Sequence, residues 1–189
     1  MLTFDPEKHE YRSGGVRVPS VTQILHAEGF IDTTWFTEHG RDRGRYVHKI
    51  IHWYITGDLD EDTIDPALRP YLDAWLRFTK DIGFVSEVVE KPFVSESYRF
   101  AGTPDHVGAL NGHNAVLDVK TGAIQPWTAL QLAGYEILIK NPSIERFSLQ
   151  LTEDGKYKLA HHKDRQDRNI FLSALSCYYW KNNNRKGRE

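Results

Sequence analysis

The stretch that decides the fold is residues 100–122, FAGTPDHVGALNGHNAVLDVKTG. Apolar runs on either side of the Asn-Gly pair at 111–112 predict two strands, because both residues of that pair tolerate the positive φ of a two-residue hairpin turn. The first strand carries Asp105, and the second carries Asp118 and Lys120. Side chains two positions apart on a strand share a face, so the hairpin is expected to gather two carboxylates and one ammonium group at one end of a sheet.

This trio of side chains has a specific chemical use. Two carboxylates held close together repel each other unless a cation lies between them, and hard oxygen ligands suit Mg²⁺ or Mn²⁺. A lysine beside such a metal can orient or deprotonate a water, or stabilise developing negative charge. Asp105, Asp118 and Lys120 therefore suit attack on a phosphodiester. A bare Asp-x-Lys is more often an ordinary surface pair, so this interpretation depends on further elements of the chain.

Length and composition limit the classes of protein to consider. The chain has 189 residues, of which 40% are hydrophobic and 12% aromatic, which predicts a single folded domain over 1–182 and a flexible polar tail over 183–189. One cysteine excludes a disulfide framework and a cysteine-ligated iron–sulfur cluster. No apolar run approaches the roughly 20 residues that span a bilayer, and the start of the chain lacks a signal-peptide core. We therefore expect a cytoplasmic protein without membrane contact.

A predicted helix over 41–55 carries a basic face. The formal net charge of −2 counts against a non-specific nucleic-acid coat protein, but a local basic strip is compatible with it. Arg41, Arg45, His48 and His52 follow helical spacing on one face, and we expect no acidic residue to offset the two arginines. The face is thus predicted to meet a phosphate backbone. An ordinary solvated surface is the alternative.

Other elements complete the predicted sheet and its helices. A strand over 84–94 carries Glu90, which is expected either near the active end of the sheet or facing solvent. A helix over 127–140 places Gln131 and Tyr135 on one face, where a plain surface pair is the alternative. The order of elements predicts an α/β (α+β) fold, with a central mixed sheet flanked by helices in the order αβββαβ.

The motifs together resemble those of a known family. They are Pro19–Leu25, Gly44–His48 (G-x-x-x-H), Gly102–Asp105 (G-x-x-D), Asp118–Gly122 (D-x-K-T-G) and Gln131–Tyr135 (Q-x-x-x-Y). In this order they are similar to the motif series of the PD-(D/E)XK nucleases, in the RecB-type exonuclease branch. Phage exonucleases and the mitochondrial genome maintenance exonuclease share this style. The resemblance covers about residues 19–140 and implies a restriction-endonuclease-like core.

The resemblance also implies roles for individual residues. The metal, Mg²⁺ or Mn²⁺, would be bound by His48, Asp105, Asp118 and the backbone carbonyl of Val119. Lys120 would act on the attacking water. Gln131 and Tyr135 would support Lys120 or hold the substrate strand, and the local sequence adds Arg41, Arg45 and Glu90 as further substrate contacts. Several branch members carry four cysteines for an iron–sulfur cluster, which this chain does not have.

The function implied is a metal-dependent DNA nuclease. The absence of helicase motifs favours a stand-alone exonuclease of phage-type DNA replication, recombination or repair, in the cytoplasm of a bacterial or phage-infected host cell. Its partner is DNA, and a single-strand annealing or replication partner cannot be read from the sequence. Two alternatives stay open: a structure-specific or restriction-type endonuclease of the same fold, and a nucleic-acid-binding module whose nuclease site is dead. The complete set of two aspartates and a lysine argues against the second.

Overall fold

The described residues, 1–34 and 36–185, form ten strands, five α-helices and one 3-10 helix in this computed structural model. The strands are β1 (Leu2–Asp5), β2 (Glu10–Ser13), β3 (Val16–Val18), β4 (Val85–Val89), β5 (Phe93–Ser95), β6 (Phe100–Gly102), β7 (His106–Leu110), β8 (His113–Lys120), β9 (Glu145–Leu151) and β10 (Tyr157–His161). The helices are α1 (Val21–Ala27), α2 (Glu38–Thr56), α3 (Arg69–Ile82), α4 (Trp127–Ile139) and α5 (Gln166–Arg185), and the 3-10 helix is Glu61–Thr63. No helix in this part of the chain is both long enough and apolar enough to cross a bilayer.

A five-stranded mixed sheet of order β10-β9-β8-β7-β4 forms the centre. The β7–β8 hairpin turns at Asn111 and Gly112, whose φ angles are 50° and 80°, as predicted for a two-residue turn. Strand β9 lies parallel to β8 and is reached through α4, whereas the other pairs are antiparallel. The chain therefore follows the predicted αβββαβ order, with α2 and α3 first, then three antiparallel strands, α4 and β9.

The two faces of the sheet pack against different helices, and this decides where the polar residues of β8 point. Leu117 and Val119 join α2 and α3 in one core cluster, whereas Val116 joins α1, α4 and α5 in the other. Alternation along the strand then directs the side chains of Asp118 and Lys120 to the α4 side. The backbone of Val119 stays accessible to α2 at the strand end.

Two predicted strands are each divided in the structure. The strand expected over 84–94 breaks at Glu90, whose φ is 46°, into β4 in the central sheet and β5 in a separate two-stranded sheet with β6. The first strand of the central hairpin is likewise split, because a bend at Asp105 separates β6 from β7. Both predictions of continuous strands were wrong, since an apolar pattern does not show where a chain leaves one sheet for another.

The ends of two helices bear on the boundaries of the domain. Helix α3 begins at Arg69, after a turn in which Asp65 accepts from the backbone N–H of Ala67 at 2.9 Å. Helix α5 continues to Arg185, past the predicted start of the tail at residue 183. The rest of that tail, 186–189, lies outside the described residues.

Candidate active site

The two aspartates meet at one end of the central hairpin. His106 pairs with Leu117, so the next position outward sets Asp105 opposite Asp118. The Asp105 side chain turns back over the strand end, where its Oδ2 accepts from the backbone N–H of Val119 at 2.7 Å. The bend before β7 and the end of β8 therefore hold both carboxylates against the same backbone segment.

The environment of Asp105 opposes its ionisation. Burial raises the pKa of Asp105 to about 6, and the charge of Asp118 adds to the rise. The nearby charges of His48 and Lys120 and the hydrogen bond from Val119 lower that pKa in part. A cation bound between Asp105 and Asp118 would stabilise the charged form of both carboxylates.

A continuous polar chain runs from Asp118 into α4. Lys120 Nζ lies 2.7 Å from Asp118 Oδ2 and donates to Gln131 Oε1 at 3.2 Å, and Gln131 Nε2 donates to the Tyr135 hydroxyl at 3.0 Å. Burial raises the pKa of Tyr135, and the charges of Asp118 and Asp105 raise it further, so the phenol keeps its proton. Lys120 also lies 5.2 Å from the ring centroid of Trp127. These contacts fix the ammonium group beside the carboxylates.

One oxygen in this row of polar side chains, Asp118 Oδ2, lacks a hydrogen bond. Asp118 is buried, with 2% of its side chain exposed, and its Oδ2 has no hydrogen-bond partner. The 2.7 Å contact with Lys120 is a close charge pair, but its angle is not that of a hydrogen bond. A buried carboxylate oxygen left in this way is costly, and a divalent cation is the ligand that would satisfy it.

His48 approaches the same point from α2. Its Nε2 lies 3.1 Å from the Val119 carbonyl oxygen, and its Nδ1 lies 3.7 Å from Asp105 Oδ1. Because a carbonyl oxygen only accepts, Nε2 carries a hydrogen in this arrangement. Among the described residues, no three His, Cys, Asp or Glu side chains form a ready cluster for a metal. The donor set that fits a hard cation is thus the two carboxylates and the Val119 carbonyl, with His48 alongside.

The backbone of Glu90 contacts the residue that carries one of the two carboxylates. Its N–H donates to the Asp105 carbonyl oxygen at 2.9 Å, whereas its carboxylate lies 3.4 Å from His52 Nδ1. The side chain is half exposed and pairs with α2 on this side of the strand end. Glu90 therefore supports the bend that carries Asp105.

The predicted basic face of α2 is divided. Arg45 Nη2 donates to Asp42 Oδ1 at 2.8 Å, so the expectation that no acid offsets the two arginines was wrong. Asp42 reaches Arg45 because residues three apart on a helix are neighbours. Arg41 instead lines a cavity beside Lys120, and Arg43 lines it too.

This cavity contains residues that sequence reasoning missed. Arg43, Trp127 and Thr128 line it, yet none belongs to the recognised motifs. The available signals were the density of arginine in the first half of α2 and the position of Thr128 in the first turn of the helix that follows β8. A second unforeseen feature is close packing at Gly102, where a Cβ atom would lie 2.9 Å from Tyr135 Cε1. Gly102 lets β6 approach the helix that carries Gln131 and Tyr135.

Comparisons with known proteins bear on the fold. No protein-family profile and no curated protein matches the chain. A crystal structure from Eubacterium rectale, assigned provisionally as an exonuclease, is similar with a TM-score of 0.53 and 12% identity, over 74% of this chain and 65% of that one. The alkaline exonuclease LHK-Exo from Laribacter hongkongensis, in complex with dAMP, is 15% identical over 89% of this chain and 94% of that one, but its TM-score of 0.40 is too low to establish a shared fold by itself. The fold predicted from the motifs is confirmed, and the chain has a restriction-endonuclease-like nuclease fold.

Proposed function

We propose that the protein is a metal-dependent DNA nuclease whose catalytic residues are Asp105, Asp118 and Lys120. The observation that carries this proposal is the buried, unpartnered Asp118 Oδ2 beside Lys120 Nζ, at the strand end shared with Asp105. Two carboxylates and an ammonium group at one point match the demands of phosphodiester hydrolysis.

The cation would be held by Asp105, Asp118 and the Val119 carbonyl, with His48 as the fourth protein ligand through Nδ1, the ring nitrogen that faces Asp105. When bound, Mg²⁺ or Mn²⁺ supplies Lewis-acid stabilisation of the charge that develops on the scissile phosphate. The His48 imidazole contacts Val119 and faces Asp105, so it also keeps these two donors in place. Asp105 orders the strand end through its bond to the Val119 N–H.

Lys120 is proposed to act as a hydrogen-bond donor. Its ammonium lies between the Asp118 carboxylate and the Gln131 amide oxygen, and a hydrogen that is not donated to Gln131 can orient a water or meet a phosphate oxygen. Gln131 is in turn held by the Tyr135 hydroxyl. This arrangement favours water orientation and charge stabilisation by Lys120 over proton abstraction, because both of its contacts are acceptors.

The finer assignment is an exonuclease formed by one nuclease domain over 1–182. Arg41, Arg45 and Glu90 are proposed as contacts to the DNA strand at the rim of the site. A role in phage-type replication, recombination or repair, in a bacterial or phage-infected cytoplasm, rests on the motif resemblance. The solved structure from Eubacterium rectale that is similar in fold, and is provisionally assigned as an exonuclease, supports the nuclease class.

The test is a digestion time course on end-labelled linear DNA and on circular single-stranded DNA, with Mg²⁺, Mn²⁺ or excess EDTA. Linear DNA should shorten from its ends with either metal, circles should persist, and EDTA should stop the reaction. Asp118→Asn should remove most activity, whereas Asp58→Asn, at an exposed position, should leave it unchanged. Undiminished cleavage in EDTA would overturn the proposal, and cleavage of circles would replace exonuclease with endonuclease.

A further inference from the structure

A cavity of about 380 Å³ lies beside Lys120. It is bounded by the first half of α2, the end of β8 and the start of α4. Its volume falls within the roughly 300–1,000 Å³ of small-ligand sites, toward the lower limit. It is therefore large enough for one small molecule or one unit of a polymer.

The lining of this cavity has basic side chains and no acidic ones. Arg41, Arg43, His48 and Lys120 line it, and no Asp or Glu is found among the described lining residues. Lys120 is already paired with Asp118 behind it, so Arg41 and Arg43 are the cations that face a ligand. The chain as a whole carries a formal charge of −2, so this concentration of basic groups is a local feature. A concave surface lined by one sign of charge attracts ligands of the opposite sign. The cavity is thus suited to an anion.

Two buried polar atoms at the cavity have no hydrogen-bond partner. They are Thr128 Oγ1, on a residue with 0% of its surface exposed, and Arg43 Nε. Arg43 is fixed by donating from Nη2 to the Thr121 carbonyl at 3.1 Å and by lying 5.9 Å from the ring centroid of Tyr71. Its Nε is therefore held in place without an acceptor. The first turn of α4, which has no side-chain cap, adds the positive end of a helix dipole.

Aromatic rings line the same cavity. Trp127 lies at its α4 side and Phe36, which is partly exposed, lies at its α2 side. Planar aromatic faces stack on nucleobases of any sequence. Phosphate-binding groups and aromatic faces within one small cavity match the two halves of a nucleotide.

We propose that this cavity holds one unpaired nucleotide of the substrate strand, next to the bond that is cut. Its phosphate is bound by Arg43 and Thr128, and its base lies against Trp127 and Phe36. The inference rests on the proposed nuclease function and specifies the substrate as a strand with an unpaired nucleotide at the cleavage point. A paired base inside a duplex is stacked and cannot enter such a pocket without being extruded.

The test is equilibrium binding in EDTA, measured by titration calorimetry with thymidine 5′-monophosphate, inorganic phosphate and thymidine. The nucleotide should bind more tightly than either of its halves. Thr128→Val, which removes only the hydroxyl, should weaken nucleotide binding about tenfold, the effect of one hydrogen bond to a charged group. Arg43→Gln should weaken it at least as much. Thr79→Val and Arg77→Gln, at positions on α3 outside the cavity, are the matched controls and should bind as the parent does.

A second arm relates the cavity to the polymer. In EDTA the parent should bind a duplex with a short unpaired end more tightly than a blunt duplex, and Thr128→Val should lose that difference. Equal nucleotide binding by parent, Thr128→Val and Arg43→Gln would overturn the subsite, as would phosphate binding as tight as that of the nucleotide. Neither arm requires cleavage. If the protein cleaves DNA but fails these binding tests, only the proposed subsite is wrong. If it passes the binding tests but does not cleave DNA, the proposed nuclease function is wrong.

Discussion

The two sides of the candidate active site differ in how firmly the sequence determines them. On the α4 side, Asp118, Lys120 and Gln131 are held by a central strand and a buried helix, and their side chains contact one another in a row. On the α2 side, Arg41 and Arg45 are exposed, and a neighbouring aspartate binds one of them. Burial leaves a polar side chain few partners, whereas exposure lets local neighbours compete for it.

The largest expected effect concerns Lys120. Lys120→Met keeps the apolar stem against Trp127 but removes the ammonium, and should slow single-turnover cleavage by roughly 10²-fold or more, about 3 kcal/mol, while DNA affinity stays near that of the parent. Lys120→Arg should not restore the rate, because a guanidinium is larger and planar. The measurement is single-turnover cleavage in Mg²⁺ beside DNA affinity in EDTA.

The control for this change is Lys158→Met, at an exposed position on β10. Because Lys120 is the charge partner of the buried Asp118, Lys120→Met should also unfold more easily than the parent without metal. Parental cleavage by Lys120→Met would make the lysine a structural ion-pair partner. Loss of affinity and cleavage together would make it a phosphate clamp.

Substitutions at two glycines test how tightly the α4 side and the α2 side are packed. Gly102→Ala should lower the free energy of unfolding by about 1–3 kcal/mol, because its Cβ would lie 2.9 Å from Tyr135 Cε1 and 3.1 Å from Leu138 Cδ1. In Gly44→Ala, the nearest atom to the new Cβ is Thr121 Oγ1 at 3.6 Å, an ordinary contact, so α2 should be stabilised slightly by a better helix former. Urea unfolding of both variants checks this. Equal losses would show that the α2 side is packed as tightly as the α4 side.

The pH dependence of stability should report on His106, which is buried on β7 and stacks on Trp75. Burial lowers the pKa of His106 to about 3, and the charges of His48 and His52 lower it further. Between pH 6.5 and 3 the unfolded chain therefore binds a proton on His106 that the native protein does not, so the contribution of His106 to stability falls as pH falls. Asp105, whose native pKa is about 6, contributes in the opposite direction.

Between pH 7 and pH 5 this loss should be about 2 kcal/mol. His106→Phe keeps the stacking on Trp75 and should shift the change in stability between the two pH values by that amount relative to the parent. Urea unfolding in EDTA at the two pH values is the measurement, and His113→Phe, at an exposed position on β8, is the control. An unchanged pH slope in His106→Phe would show that the native protein accommodates a charged imidazole there.

The smallest expected effect separates the two arginines of α2. Arg41→Ala should reduce the slope of log affinity for DNA against log salt by about one and weaken binding a few-fold. Arg45→Ala should change the slope less, because Asp42 already neutralises part of that charge. The measurement is DNA affinity across a salt series in EDTA. A larger slope change for Arg45 would mean that DNA displaces Asp42.

The sequence was informative where periodicity acts on a rigid element. The spacing of Asp118 and Lys120 on one strand, and of Gln131 and Tyr135 on one helix, brings these residues into one row. It could not show that Asp105 lies in a bend between two sheets, because that depends on β6 pairing with β5 in a separate sheet instead of joining the central one. It also could not reveal Thr128, whose importance appears only when α2 closes over the start of α4 to form the cavity.

The hairpin and crossover helix described above also determine when the site forms during folding. Lys120 and Gln131 are 11 residues apart, whereas His48 and Val119 are 71 apart. Closing a short loop costs less chain entropy and is faster than closing a long one. We expect a refolding chain to align its carboxylates and lysine first and to dock α2 later, so the chemical groups take their positions while the groove for the substrate is still open.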